Sequence, residues 1–110
     1  MRVILTKTAE REMAAIGDYI AESNQARAIR FVNELLDSCL EIGQMPEAFP
    51  LVEGLAERGI RRRVFGRYLI FYIADEKAVS IVHILHGARD VVSILGAEDG
   101  PKSTEPGRGR

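Results

Sequence analysis

The stretch that decides the fold is residues 59–90, which read GIRRRVFGRYLIFYIADEKAVSIVHILHGARD. Runs rich in β-branched and aromatic residues occupy 60–65, 68–74 and 79–85, and two short turn segments separate them. Such runs are typical of β-strands, and short connections join antiparallel neighbours. We therefore predict a three-stranded antiparallel meander. Its central strand should be 68–74, because that run is apolar on both faces.

The residues before this stretch predict one strand and two helices. Residues 2–6 read as a first strand. Apolar residues then recur at helical spacing over 9–20, behind a candidate N-cap at Thr8, and again over 28–42, behind a candidate cap at Ser23-Asn24. The predicted fold class is α+β in the order β-α-α-β-β-β. A helical hairpin should pack on one face of a mainly antiparallel four-stranded sheet.

Length and charge suggest one domain with two electrostatically different halves. The 110 residues suffice for one core, and we expect residues 1–95 to form the domain and 96–110 a disordered tail. Residues 1–57 carry 5 basic and 10 acidic side chains, whereas 58–110 carry 10 basic and 6 acidic. The C-terminal half therefore predicts a basic working surface supported by acidic helices.

Cys39 is the single cysteine, so the chain can form no internal disulfide, which fits a reducing compartment. It lies in the apolar stripe of the second predicted helix, where a thiol is expected to be inert. The sequence shows neither a secretory signal nor a membrane span. We expect a cytoplasmic protein.

The histidines and serines do not predict a familiar enzyme. His83 and His86 are three apart on a strand, which places their side chains on opposite faces and argues against a shared metal ion. Ser80 and Ser93 lack the context of a nucleophile elbow, and no glycine-rich phosphate loop occurs. We predict neither a metal nor a cofactor.

A cluster of arginines remains, with tyrosines beside it. Such side chains can engage phosphates, stack on bases or pair with an acidic protein, although charged residues also protect edge strands from aggregation. Alternation places Arg62 on the face of Ile60 and Val64, so an inward Arg62 would need a carboxylate or groove to receive it. The cluster comprises Arg58, Arg61, Arg62, Arg63 and Arg67, near Tyr68 and Tyr72.

Three motifs carry a family resemblance: Gly59-x-Arg61, Tyr68-Leu-Ile-Phe-Tyr72, and a final strand that ends in His86-Gly-Ala-Arg-Asp90. Together with the preceding helical pair, they make residues 1–95 resemble the ParE-type toxins of the RelE/ParE superfamily. The resemblance implies a toxin of a type II toxin–antitoxin system. It further implies a ParD-like antitoxin that wraps the toxin in a hetero-oligomer, and inhibition of DNA gyrase without enzymatic turnover.

Two alternatives stay open. A RelE-like, ribosome-dependent mRNA endonuclease needs a general base, a general acid and cations for the phosphorane charge. Enzymes of that branch resemble one another in placing Tyr, His or Lys just beyond the final strand, whereas residues 91–95 here read VVSIL. This difference favours the non-catalytic toxin. The other alternative is a small nucleic-acid-binding module that uses the basic strand directly.

These interpretations yield two predicted surfaces. The target would be contacted by Arg61, Arg62, Arg63, Arg67, His86, Arg89, Ile94 and Leu95. The antitoxin would be contacted by Ile20, Phe31, Leu35, Tyr68 and Tyr72.

Overall fold

The architecture is two helices and a four-stranded mixed sheet, seen in a computed structural model that describes residues 1–87 and 94–95. The predicted α+β class and element order are confirmed. The elements are β1 (Arg2–Leu5), α1 (Lys7–Ala21), α2 (Gln25–Ile42), a 3₁₀ turn (Ala56–Arg58), β2 (Ile60–Phe65), β3 (Tyr68–Ala74) and β4 (Ala78–His86). No helix in these described ranges is long and apolar enough to cross a membrane.

The strand order in the sheet is β1-β4-β3-β2. β2, β3 and β4 form the predicted antiparallel meander, and β1 lies parallel to β4, with Val3 opposite Val79. β3 is an interior strand, as its apolar faces predicted, and Ile70, Phe71 and Tyr72 are fully buried within it. β2 is an edge strand, as its arginine run indicated.

The N-cap of α1 is Thr6, so the prediction of Thr8 was wrong. The Thr6 hydroxyl accepts a hydrogen bond from the Ala9 amide at 3.2 Å and donates one to the Ile81 carbonyl at 2.9 Å. The Thr6 backbone is extended where β1 ends, which aims its hydroxyl at the first helical turn, whereas Thr8 already lies inside the helix. The second predicted cap is confirmed, because the Asn24 side chain accepts from the Arg27 amide at 2.9 Å.

The main core lies between the helical hairpin and one face of the sheet. Leu35 and Ile42 of α2 meet Ile70 and Ile81 of the sheet there, and all four side chains are fully buried. Burying a side chain of this size stabilises the fold by about 1.5–3 kcal/mol. Cys39 is fully buried in the same core, which confirms its predicted structural position.

The second face of the sheet is covered by Val52, Leu55 and Leu95. Val52 and Leu55 pack there on Ile60 and Phe71. The Val52 amide also donates to the Ile60 carbonyl at 2.8 Å, so this segment extends along the free edge of β2. The segment between α2 and β2 therefore contributes to a second, smaller core.

Candidate partner-binding surface

Arg61 and Arg63 of β2 are half-buried and bind the protein's own backbone. Arg63 Nη1 donates to the Ser38 carbonyl at 2.8 Å and lies 3.0 Å from Glu41 Oε1. Its guanidinium carbon stands 4.9 Å from the centroid of the Phe49 ring. Arg61 Nη1 donates to the Phe49 carbonyl at 2.7 Å. These two arginines therefore fasten the C-terminal end of α2 and the following segment to the edge strand.

Arg62 shares a face with Ile60 and Val64, as alternation predicted, and its side chain is exposed. Val52 and Leu55 cover that face at Ile60. The cover does not continue to Val64, whose side chain is 60% exposed. Arg62 therefore keeps its charge in water and needs no buried partner.

A concave site of about 710 Å³ lies where the ends of the helices meet the β2–β3 turn. We call it the hairpin-end pocket. The helices contribute Tyr19, Ile20, Arg27 and Phe31, and the sheet contributes Gly66, Arg67, Tyr68 and His86. Gly66 has a φ of +59°, in the left-handed region that a tight turn requires and glycine adopts most readily.

Aromatic rings in edge-to-face contact build the floor of this pocket. The centroid of Phe31 is 5.3 Å from that of Phe65 and 5.8 Å from that of Tyr68, and Tyr68 lies 5.4 Å from His86. Arg27 places its guanidinium carbon 5.9 Å from the Phe31 centroid. The pocket thus combines aromatic surface with two guanidinium groups, and none of its described lining residues is acidic.

Three of the five predicted antitoxin contacts lie in this pocket, namely Ile20, Phe31 and Tyr68. The other two are corrected by the structure, because Leu35 and Tyr72 are fully buried in the main core. The Tyr72 hydroxyl donates to the Pro46 carbonyl at 2.6 Å, and burial raises the pKa of this phenol. Neither side chain is available to a partner at the surface.

The predicted target contacts also differ in their exposure to solvent. Arg62 and Arg67 are exposed, as is His86, which lines the hairpin-end pocket. Arg89 lies outside the described residues. Leu95 is corrected, because it is only 3% exposed and packs in the second core, where its carbonyl accepts from Arg58 at 3.3 Å.

Ile94 is partly buried against the same core. The protein's own second core therefore covers both described residues of the apolar segment 91–95.

His83 and His86 lie on opposite faces of the sheet, as predicted. In the register of β3 and β4, His83 lies opposite Phe71, which packs in the second core. His86 lies opposite Tyr68, on the face of the sheet that the helices cover. The register shift in this strand pair lies between Phe71 and Tyr72, so it does not bring the two imidazoles together. Within residues 1–87 and 94–95, no group of three His, Cys, Asp or Glu side chains could hold a metal ion.

Sequence reasoning missed Tyr19 and Arg27, both of which line the hairpin-end pocket. Arg27 precedes Phe31 by one helical turn, a spacing that places the two side chains side by side. That spacing was the available signal. Tyr19 carried a weaker one, as a large aromatic residue off the apolar stripe of α1, and it is 70% exposed.

Comparison with known proteins assigns the family. Residues 3–91 match the family model described as the ParE toxin of the type II toxin–antitoxin system parDE. A solved structure, described as the chromosomal ParDE toxin–antitoxin system from P. aeruginosa, has a similar fold with a TM-score of 0.67. At 18% identity, that similarity covers 78% of this chain and 95% of the solved chain. No curated protein matches the sequence. The chain therefore belongs to the ParE toxin family of type II toxin–antitoxin systems.

Proposed function

We propose that this toxin inhibits DNA gyrase by binding it, without turning over a substrate, and that a ParD-like antitoxin neutralises it in a hetero-oligomer. The observation that carries the proposal is the match of residues 3–91 to the ParE toxin family. That match favours the gyrase-directed branch of the superfamily over the ribosome-directed one. The VVSIL sequence at 91–95 supports the same choice, since it offers no Tyr, His or Lys for acid–base chemistry.

The proposed target surface is the exposed part of the β2–β3 hairpin, with Arg62 and Arg67 at its centre. Their guanidinium groups are exposed, and the apolar Val64 is exposed between them along the chain. Exposed guanidinium groups recognise carboxylates and phosphates through paired hydrogen bonds. Arg61 and Arg63 contribute indirectly, by fixing the strand that presents Arg62. We include His86 in the same surface. Arg89 is included on the basis of the sequence alone.

The proposed antitoxin surface is the hairpin-end pocket. Its apolar floor comes from Ile20, Phe31 and Tyr68. Because Arg67 lies both in this pocket and on the proposed target surface, an antitoxin bound here would cover part of the surface that the target uses. Neutralisation would then be direct occlusion.

Two activity measurements, run in parallel, test this function. The purified toxin is titrated into a supercoiling reaction containing gyrase, ATP and relaxed plasmid, and separately into translating ribosomes whose mRNA is mapped for cuts. We expect dose-dependent loss of supercoiling, reversal by antitoxin, and intact mRNA. Unaffected gyrase together with cuts at regular codon positions would instead identify a ribosome-dependent nuclease.

A direct binding measurement tests the remaining alternative. The nucleic-acid-binding module predicts salt-dependent binding of plain DNA or RNA that is lost when Arg61, Arg62 and Arg63 are replaced. The proposed function predicts no such binding at physiological salt.

A further inference from the structure

We propose that the hairpin-end pocket binds an acidic residue of the antitoxin together with an adjacent apolar side chain. The carboxylate would pair with Arg27 and Arg67, and the apolar side chain would rest on Ile20, Phe31 and Tyr68. This inference rests on the proposed function, since it assumes an antitoxin. It adds the chemistry of the contact and the residues that make it.

The positive charge of the pocket favours an anionic ligand. Arg27 and Arg67 both line it, and among residues 1–87 and 94–95 no acidic residue does. In the part of the chain that the structure describes, no carboxylate forms an ion pair with either guanidinium. Residues 1–57, which contribute the helical side of the pocket, carry 10 acidic and 5 basic residues, so Arg27 is a basic residue in an acidic part of the chain. Such a contrast favours a carboxylate ligand and disfavours a basic one.

Arg27 is held by a packing contact, and Arg67 lies in a tight turn. Arg27 packs its guanidinium over the Phe31 ring, which leaves the N–H groups at the rim of the plane free to bind a carboxylate with two parallel hydrogen bonds. Arg67 is the second residue of the two-residue turn after β2, whose left-handed Gly66 fixes the backbone. Prior placement reduces the entropy lost on binding.

The aromatic floor favours a peptide side chain over a nucleic-acid base. Base binding to single strands depends on an open ring face on which the base can stack. Arg27 covers one face of Phe31, and Phe65 and Tyr68 contact the same ring in edge-to-face geometry. The rings therefore offer an apolar cradle of edges and partial faces, which suits an aliphatic or aromatic side chain.

The test is the affinity of the purified toxin for a separately purified ParD-like antitoxin, measured by isothermal titration calorimetry. The Arg27→Glu/Arg67→Glu double variant should bind at least 100-fold more weakly, because each substitution places a carboxylate against the ligand's carboxylate. Arg30→Glu is the matched control, since Arg30 is exposed on the same helix outside the pocket. It should bind within about threefold of the wild type.

A charge-swap experiment separates recognition from damage to the fold. Each acidic residue of the antitoxin is changed in turn to Lys and titrated against toxin carrying Arg67→Glu alone. One such change should restore affinity at least tenfold, which a misfolded toxin could not show.

The outcomes distinguish this inference from the proposed function. Unchanged affinity of the double variant, or the absence of any rescuing swap, would overturn the inference and leave the antitoxin itself established. A wild-type toxin that binds no antitoxin would overturn both. Salt-dependent binding of a 12-nucleotide oligo(dT) that the double variant loses would assign the pocket to nucleic acid and overturn the inference.

Discussion

The carboxylate of Glu12 in α1 accepts a hydrogen bond from the backbone amide of Ile84 in β4 at 2.8 Å, across 72 residues of sequence. β1 ends at Leu5, whose partner is Ile81, so β1 does not reach the part of β4 that contains Ile84. The other oxygen of Glu12 lies 2.9 Å from Nδ1 of His83. The Glu12 side chain thus accepts a backbone hydrogen bond from β4 at a position that β1 does not reach.

Removing that carboxylate should destabilise the fold. Glu12→Ala leaves the Ile84 amide without its acceptor, and we expect the free energy of unfolding to fall by about 1–3 kcal/mol in urea denaturation. Glu12→Gln keeps an oxygen that can accept from the amide and should lose less. An alanine variant within about 0.5 kcal/mol of the wild type would show that the contact contributes little, as most surface changes do.

Arg62 and Arg63 are adjacent in β2 but should differ in their contribution to the stability of the fold. Arg63→Ala removes the bonds to Ser38 and Glu41 and the stacking on Phe49, so we expect a loss of about 1.5–3 kcal/mol in unfolding free energy. Arg62→Ala, on the exposed face, should stay within about 0.5 kcal/mol. Chemical denaturation of the two variants decides the point, and equal losses would contradict the assignment of Arg63 to the fold.

Cys39 should be unreactive in the folded protein. Burial raises the pKa of its thiol to about 11, although the positive charge of Arg63 opposes the shift. At pH 8 we therefore expect iodoacetamide to label Cys39 slowly in buffer and rapidly in 6 M urea, where the thiol is exposed. Rapid labelling under native conditions would show that this part of the core opens readily.

The same shift makes stability depend on pH. The folded-state pKa lies above the ordinary value of 9.0, so the neutral thiol stabilises the fold fully below pH 9 and this contribution is lost as pH rises through 11. Two pKa units correspond to about 2.7 kcal/mol. Cys39→Ala should make the free energy of unfolding depend less on pH between pH 9 and 11 than it does in the wild type. Parallel curves would mean that Cys39 does not cause the dependence.

The β2–β3 turn should tolerate Asn better than Ala at Gly66. The φ of +59° costs an ordinary L-residue about 1–2 kcal/mol, whereas Asn visits this region more readily. We expect Gly66→Ala to lower the melting temperature by several degrees and Gly66→Asn to lower it less. A backbone change at Gly66 should also weaken antitoxin binding, because the turn positions Arg67.

Local sequence patterns predicted the parts of the fold that depend on local physics. Apolar residues on both faces of 68–74 gave the interior strand, and Asn24 before an apolar stripe gave the start of α2. The start of α1 could not be obtained this way, because Thr6 and Thr8 are both good caps. What selects Thr6 is the end of β1, which depends on pairing with β4 more than 70 residues away.

Local sequence patterns likewise predicted only part of the candidate site. Alternation established that Arg61 and Arg63 share one face and Arg62 the other, but not which face is covered. The answer comes from Ser38 and Phe49, which lie far away in the sequence. Similarly, Leu35 and Phe31 share one apolar stripe of α2, yet only the packed sheet makes Leu35 core and leaves Phe31 at a pocket.

The most direct test of the central claim is the supercoiling activity of purified gyrase at increasing concentrations of the toxin, with the Arg62→Ala/Arg67→Ala variant alongside. We expect the wild-type toxin to abolish supercoiling. The variant, with an unchanged circular dichroism spectrum, should need at least a tenfold higher concentration, and Arg30→Ala should act like the wild type. Full supercoiling at a large molar excess of folded, antitoxin-free toxin would contradict the account.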